Sequence, residues 1–179
     1  MHSRLVLALD LDSTLIYSTP TKGEVETPSF QFEIPVHGHP KTFYTKIRPH
    51  AVALWRLLQD QSTTGDVKAF GVFTLATPEY AQCVVAELQR LSGSDVKPAF
   101  VLDRRSVSVD ENKRWYKDLD VVRRLFPDGH VVLLDDDPIH ASANQGSVAL
   151  VSHYKGEDGD EGLRTTIKTL AERSRKRKR

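Results

Sequence analysis

Two clusters of carboxylates are the residues here whose types and spacing could do chemistry. Asp10-Leu11-Asp12-Ser13-Thr14 sets two acids two positions apart with a hydroxyl beyond them, and Asp135-Asp136-Asp137 sets three in a row. Each cluster follows an apolar run, at 5–9 and at 131–134, the pattern of strands buried on both faces whose carboxyl ends open into polar loops. One D-x-D alone reads more readily as an Asx-turn or a loop start. Two clusters on neighbouring parallel strands would gather four carboxylates round one point, which is costly unless a cation sits among them. An all-oxygen donor set suits a hard divalent ion, magnesium, with water and a phosphate completing the shell, whereas soft metals want Cys or several His. His37-Gly38-His39 lacks a third ligand nearby in sequence and reads as an exposed turn, so zinc is not expected.

The elements that must position these acids follow the same grammar. Apolar runs at 69–73, ending in Thr74, and at 99–102, ending in Asp103, predict two further strands. Val52, Leu54, Trp55, Leu57 and Leu58 recur at helical spacing over 49–59, with Pro49 in the first turn. Thr77-Pro78 reads as an N-cap and first helical residue of a helix to about Leu91, and Lys117 is expected at the start of a helix over 119–125. The alternation predicts an α/β fold: an open, mostly parallel Rossmann-like sheet with helices on both faces, binding ligands outside the carboxyl ends of its strands. Thr14, Thr74, Lys117 and both acid clusters would share that rim. One segment, 28–47, breaks the rhythm: Phe30, Phe32, Ile34 and Val36 alternate with polar residues before a turn and a second strand, an inserted hairpin that is either a flap or an edge ribbon completing the core.

Taken in order, Asp10-Leu11-Asp12-Ser13-Thr14, Phe73-Thr74, Lys117-Asp118-Leu119 and Leu134-Asp135-Asp136-Asp137-Pro138 resemble the four motifs of the haloacid dehalogenase superfamily. Within it they are similar to the D-x-D-x-T branch, the small phosphatases of the RNA polymerase II C-terminal domain. Lys46-Ile47-Arg48-Pro49-His50, the stretch from Thr74 to Ala81 and Asp103-Arg104 add to the likeness, which spans about 4–153. The resemblance implies Asp10 as a nucleophile forming an aspartyl phosphate and Asp12 as general acid, then base. It implies Thr14, Thr74 and Lys117 as phosphate-binding groups and Arg104 beside the substrate. It places Mg²⁺ on the Asp10 carboxylate, the Asp12 carbonyl and one or both of Asp135 and Asp136, with Asp136 favoured. Ser13, Arg105 and Asp137 depart from the family pattern at positions that bear on substrate preference.

At 179 residues, 39% hydrophobic and 27% charged, the chain suits one globular domain, expected over 1–172. Its net charge of +1 hides a split, because 173–179 hold six Lys+Arg and no acid. That run is expected to be a disordered basic tail fitting a nuclear-localisation signal read by the import machinery, or a nucleic-acid contact; a merely solvated charge run is the plain alternative. A nuclear location is therefore expected, otherwise cytoplasmic. Cys83, the single cysteine, fits a reducing compartment and a helix core, and no apolar run is long enough for a membrane span. Cysteine-based phosphatase and phosphorelay-receiver readings fit poorly, the first for want of a glycine-rich cradle round Cys83. The expected activity is a phosphoserine or phosphothreonine phosphatase acting on proteins, RNA polymerase II among them, with Phe32 and Phe43 lining the substrate groove. Phosphatases of small metabolites or nucleic-acid ends, and a catalytically idle phosphopeptide-binding scaffold, are the alternatives. The absence of a large cap favours a peptide.

Overall fold

The computed structural model describes residues 4–177. In chain order the strands are β1 (Arg4–Leu9), β2 (Ile16–Thr19), β3 (Phe30–Val36), β4 (His39–Ile47), β5 (Val67–Phe73), β6 (Val101–Leu102), β7 (Ser108–Val109), β8 (Trp115–Tyr116), β9 (Gly129–Asp135) and β10 (Val148–Leu150). The helices are α1 (Ala51–Thr64), α2 (Pro78–Ser92), α3 (Asp120–Leu125), α4 (Pro138–Ala143) and α5 (Arg164–Arg177).

The expected open parallel sheet is present, in the order β10-β9-β1-β5-β6 with every pairing parallel. Alternation along β1 serves two cores: Leu5, Leu7 and Leu9 pack with α1 and α2, while Val6 and Ala8 pack with Leu119 and Val122 beneath α3. The chain leaves β1 towards β5 and β6, then returns to the other side of β1 as β9. The loops after β1 and β9 therefore diverge, and such a switch in strand order opens a crevice at the carboxyl ends. Leu5↔His130 through Leu9↔Leu134 are in register, so Asp10 and Asp135 emerge side by side.

The inserted hairpin is β3–β4, extended by β2 into a three-stranded antiparallel sheet. Its apolar face is core: Ile34 is buried, and Phe30, Phe32, Val36 and Phe43 pack against the larger cluster.

Three expectations at element ends are corrected. Pro49 precedes α1, whose N-cap is His50 in the left-handed region, φ 70°. By contrast, Thr77 is the N-cap of α2 and Pro78 its first residue, as expected, although the Thr77 side chain makes no cap hydrogen bond and Pro78 fixes the start. Lys117 lies outside α3, in the connection after β8. The basic run 173–179, expected to be disordered, continues the α5 backbone helix as far as Arg177. Buried Leu163 and Leu170 anchor that helix, and Arg and Lys propagate one well; residues 178–179 lie outside the described residues. Among these, no helix is long and apolar enough to cross a membrane.

One buried cation ties the insertion to the sheet. Arg48, 1% exposed at the end of β4, donates to Asp160 through Nε (2.6 Å) and Nη2 (3.0 Å), to Ser152 Oγ (2.7 Å) and to the Thr14 carbonyl (3.1 Å). Gly162 lets the guanidinium in, since a Cβ there would lie 2.1 Å from Nη2. Hydrogen bonds from Arg48 hold the Asp160 carboxyl below its usual range. A depressed folded-state pKa gives stability that is full above the unfolded value near 4 and is lost as pH falls through the folded value. Asp160→Asn should therefore cost about 2–3 kcal/mol at pH 7 by leaving a buried guanidinium half-paired. The gap between parent and variant, measured by urea unfolding at a series of pH values, should be constant above about pH 5 and shrink as pH falls below the usual carboxylate value near 4.

Candidate active site

β1 ends in the turn that carries Asp10, Asp12 and Thr14. Ser13 sits at φ 60°, and backbone bonds from Leu15 N and Ile16 N to the Leu11 carbonyl close the turn. Leu11 and Leu15 are fully buried, which pins the turn from below and leaves the acids on its upper side. β9 delivers Asp135 beside it, and Asp137 caps α4 by accepting from Ile139 N at 2.8 Å.

Lys117 is the hub. It is 1% exposed, and its Nζ donates to Asp10 Oδ1 and, at 2.6 Å, to Asp135 Oδ2. Asn144 holds its backbone, donating to the Lys117 carbonyl at 2.7 Å while accepting from Leu119 N at 3.0 Å. His140 accepts from Lys117 N at 3.4 Å, as a neutral ring can, and burial followed by the Lys117 charge pushes His140 down to about 4. Desolvation pulls the Lys117 pKa down, but the two carboxylates outweigh it and the ammonium stays charged. Burial drives Asp10 up to about 7 against the attraction of Lys117, and Asp135 is raised for the same first reason.

Asp10, Asp135 and Asp136 offer oxygens that all lie within 4.8 Å of one another. Thr14 Oγ1 stands between two of them, 3.2 Å from Asp10 Oδ2 and 2.9 Å from Asp136 Oδ1. Three carboxylates at that spacing against a single ammonium leave an excess of negative charge, and an all-oxygen set of this kind fits Mg²⁺. The carboxylate of Asp12 turns elsewhere: its Oδ1 accepts from Tyr80 OH at 2.5 Å. Burial lifts Asp12 to about 6, while burial and the Asp12 charge raise Tyr80, whose hydroxyl is therefore a fixed donor.

The other expected residues line the same rim. Thr74 is buried at the end of β5 and accepts from Ala76 N at 3.1 Å, which leaves its own proton free to donate. Arg104 donates to the Leu75 carbonyl at 2.8 Å and lies 5.3 Å over the Trp115 ring. A cleft of about 400 Å³ opens beside Asp12, with Phe43, Ile34, Val36, Tyr80 and Arg104 among its walls. Phe43 thus reaches the groove. Phe32 does not line it; it backs the wall, stacked on Phe43 at 5.5 Å and edge-on to Tyr80 at 5.2 Å. Cys83 is half-buried in α2, its thiol raised by burial, which leaves little thiolate for chemistry.

Tyr80, Asn144, His140 and His153 are the members that sequence reasoning did not assign. Tyr80 had a signal, since it falls inside the stretch from Thr74 to Ala81. His153 had none; its Nδ1 lies 2.6 Å from Asp136 Oδ2.

Residues 5–178 match the family model described as NLI interacting factor-like phosphatase. No curated protein matches the chain. Among solved structures, a variant of the fission yeast RNA polymerase II CTD phosphatase Fcp1 bound to beryllium fluoride is similar with a TM-score of 0.61 and 22% identity, over 96% of this chain and 50% of that one. A structure described as Fcp1, an essential RNA polymerase II CTD phosphatase, gives a TM-score of 0.56 and 23% identity over 96% and 48%. The chain spans about half the length of these structures, and at such identity the likeness is one of fold. The haloacid dehalogenase resemblance is borne out.

Mg²⁺ at a hundred times its dissociation constant should stabilise the chain by about 2.7 kcal/mol, a rise in melting temperature of roughly 5–10 °C. Calorimetry with and without the ion should show that rise in the parent and little of it in Asp136→Asn.

Proposed function

The chain belongs to the NLI interacting factor-like phosphatase family, and from that premise we propose that it is a Mg²⁺-dependent phosphatase of phosphoserine or phosphothreonine in proteins. The C-terminal tail of RNA polymerase II is the first substrate to test. The carrying observation is the separation of Asp10 from Asp12. Two positions apart in sequence, one is held by Lys117 and Thr14 among the acid cluster, and the other is turned to Tyr80 at the mouth of an apolar cleft. Neighbouring carboxylates in different environments are how a site divides nucleophile from acid.

A phosphoserine entering the cleft would meet Asp10 at phosphorus. Lys117, Thr14 and the Thr74 hydroxyl would bear on the phosphoryl oxygens, countering charge that spreads over them during transfer. Bound by Asp10, Asp135 and Asp136 with the Asp12 carbonyl, Mg²⁺ would supply charge neutralisation and Lewis acidity at the phosphate. The Asp10 carboxylate forms the new P–O bond as the P–O bond to the serine breaks, and Asp12 gives its proton to the leaving alkoxide. Asp12, now a base, takes a proton from the water that attacks the aspartyl phosphate, which restores both acids and releases inorganic phosphate. The Tyr80 bond fixes one Asp12 oxygen and so directs the other, and burial raises Asp12 to about 6, which favours its acid form; Asp10, raised to about 7 by burial, would be held ionised for attack by Mg²⁺ beside it.

The cleft favours a peptide over a small ester, because its walls of Ile34, Val36 and Phe43 offer apolar contact next to Asp12 without closing over it. An extended, proline-containing segment loses little entropy on docking against such a wall. The basic run 173–179 supports nuclear import as a further part of this reading.

Asp10→Asn, or chelation of the parent, should abolish hydrolysis of an aryl phosphate, and undiminished turnover in either case would remove the mechanism. Phe43→Ala should raise KM for a phosphoserine-proline peptide about tenfold, the loss of one buried aromatic contact, and leave aryl phosphate kinetics close to the parent's. Phe43→Leu, which keeps the packing on Phe32, should fall between. Equal loss on both substrates by folded variants would return the cleft to a structural role. Deleting 173–179 should shift a fluorescent fusion out of the nucleus without altering turnover of a short substrate; a fusion that stays nuclear would refute the import role.

A further inference from the structure

The segment after β10 crosses both acid-bearing turns and is stitched to each. Val151 N donates to the Asp135 carbonyl at 3.0 Å, and Tyr154 N donates to the Ser13 carbonyl at 2.8 Å. Tyr154 is fully buried, which anchors the far side of the crossing. His153 lies between those pins. Its Nδ1 is 2.6 Å from Asp136 Oδ2 and its Nε2 is 3.4 Å from Ser13 Oγ. A carboxylate accepts and does not donate, so Nδ1 carries the hydrogen, while Nε2 faces the Ser13 hydroxyl.

Asp136 differs from its neighbours in this respect. Lys117 fixes Asp10 and Asp135, and Asp137 N also donates to Asp135 Oδ1 at 2.8 Å. Asp136 is only part-buried and, among the described residues, has no ammonium partner; its two oxygens are shared between Thr14 and His153. We propose that His153 is a positioning residue for the cation site: it holds one Asp136 oxygen so that the carboxylate plane is already set for a divalent ion. This rests on the reading of Asp10, Asp135 and Asp136 as the Mg²⁺ ligands. His153 lies outside the four acid, hydroxyl and lysine motifs and has no part in bond making. A group that fixes a ligating carboxylate typically contributes 10- to 100-fold in metal affinity.

The test is Mg²⁺ binding by isothermal titration calorimetry on the full chain without substrate, beside melting temperatures in chelator. His153→Ala should weaken Mg²⁺ binding about tenfold or more while melting with the parent in chelator, because the ring is half-exposed. His153→Asn, whose side-chain amide can donate where Nδ1 does, should recover most of the affinity, and Ser13→Ala should change it little. Parent-like affinity in His153→Ala overturns the proposal, as does a lowered melting temperature in chelator that His153→Asn fails to restore. A parent that binds Mg²⁺ not at all removes the metal reading itself, whereas a binding parent with an indifferent His153→Ala removes this inference alone.

Discussion

The buried ammonium of Lys117 is the interaction on which the site depends. Asp10 and Asp135 leave adjacent parallel strands in register, so the backbone ladder alone would force two carboxylates together away from water. Such a pair is tolerable only with a cation between them, and losing one partner of a buried charge pair typically costs about 3–5 kcal/mol. The surroundings of Lys117 follow from that need. Asn144 and His140 reach across from α4 to hold a stretch of irregular backbone, and that backbone is short and exact enough to aim one amine at two acids. A helix start would also have offered the lysine a place, but a connection braced by side chains can bring the amine in at the floor of the crevice.

A second buried cation, Arg48, does for the loops what Lys117 does for the acids. It joins the end of the inserted sheet to the Thr14 carbonyl and to Asp160, so the hairpin, the D-x-D turn and the segment leading to α5 are tied to one guanidinium. The inserted sheet therefore has two duties. Its phenylalanines fill the core against α2, and the edge of the same aromatic cluster, Phe43 and Tyr80, walls the cleft beside Asp12.

Much of this was written in residue types and periodicity. Continuous apolar runs fixed the strands because a strand covered on both faces has no polar side to show, and their abrupt change to acids marked the carboxyl-end rim. The likeness of four motifs in order then implied roles for Asp10, Asp12, Thr14, Thr74, Lys117 and the Asp135–Asp136 pair. What remained hidden has a common cause. The hydrogen bonds of Tyr80 to Asp12 and His153 to Asp136 join residues 68 and 17 positions apart, and a lone tyrosine or histidine carries no period that would flag it. The position of Lys117 outside α3 is set in the same way, by His140 and Asn144 holding its backbone. Local sequence decided which elements form and which acids they carry; the tertiary structure decided where each carboxylate points, because orientation is settled by partners that only the folded chain brings within hydrogen-bonding reach.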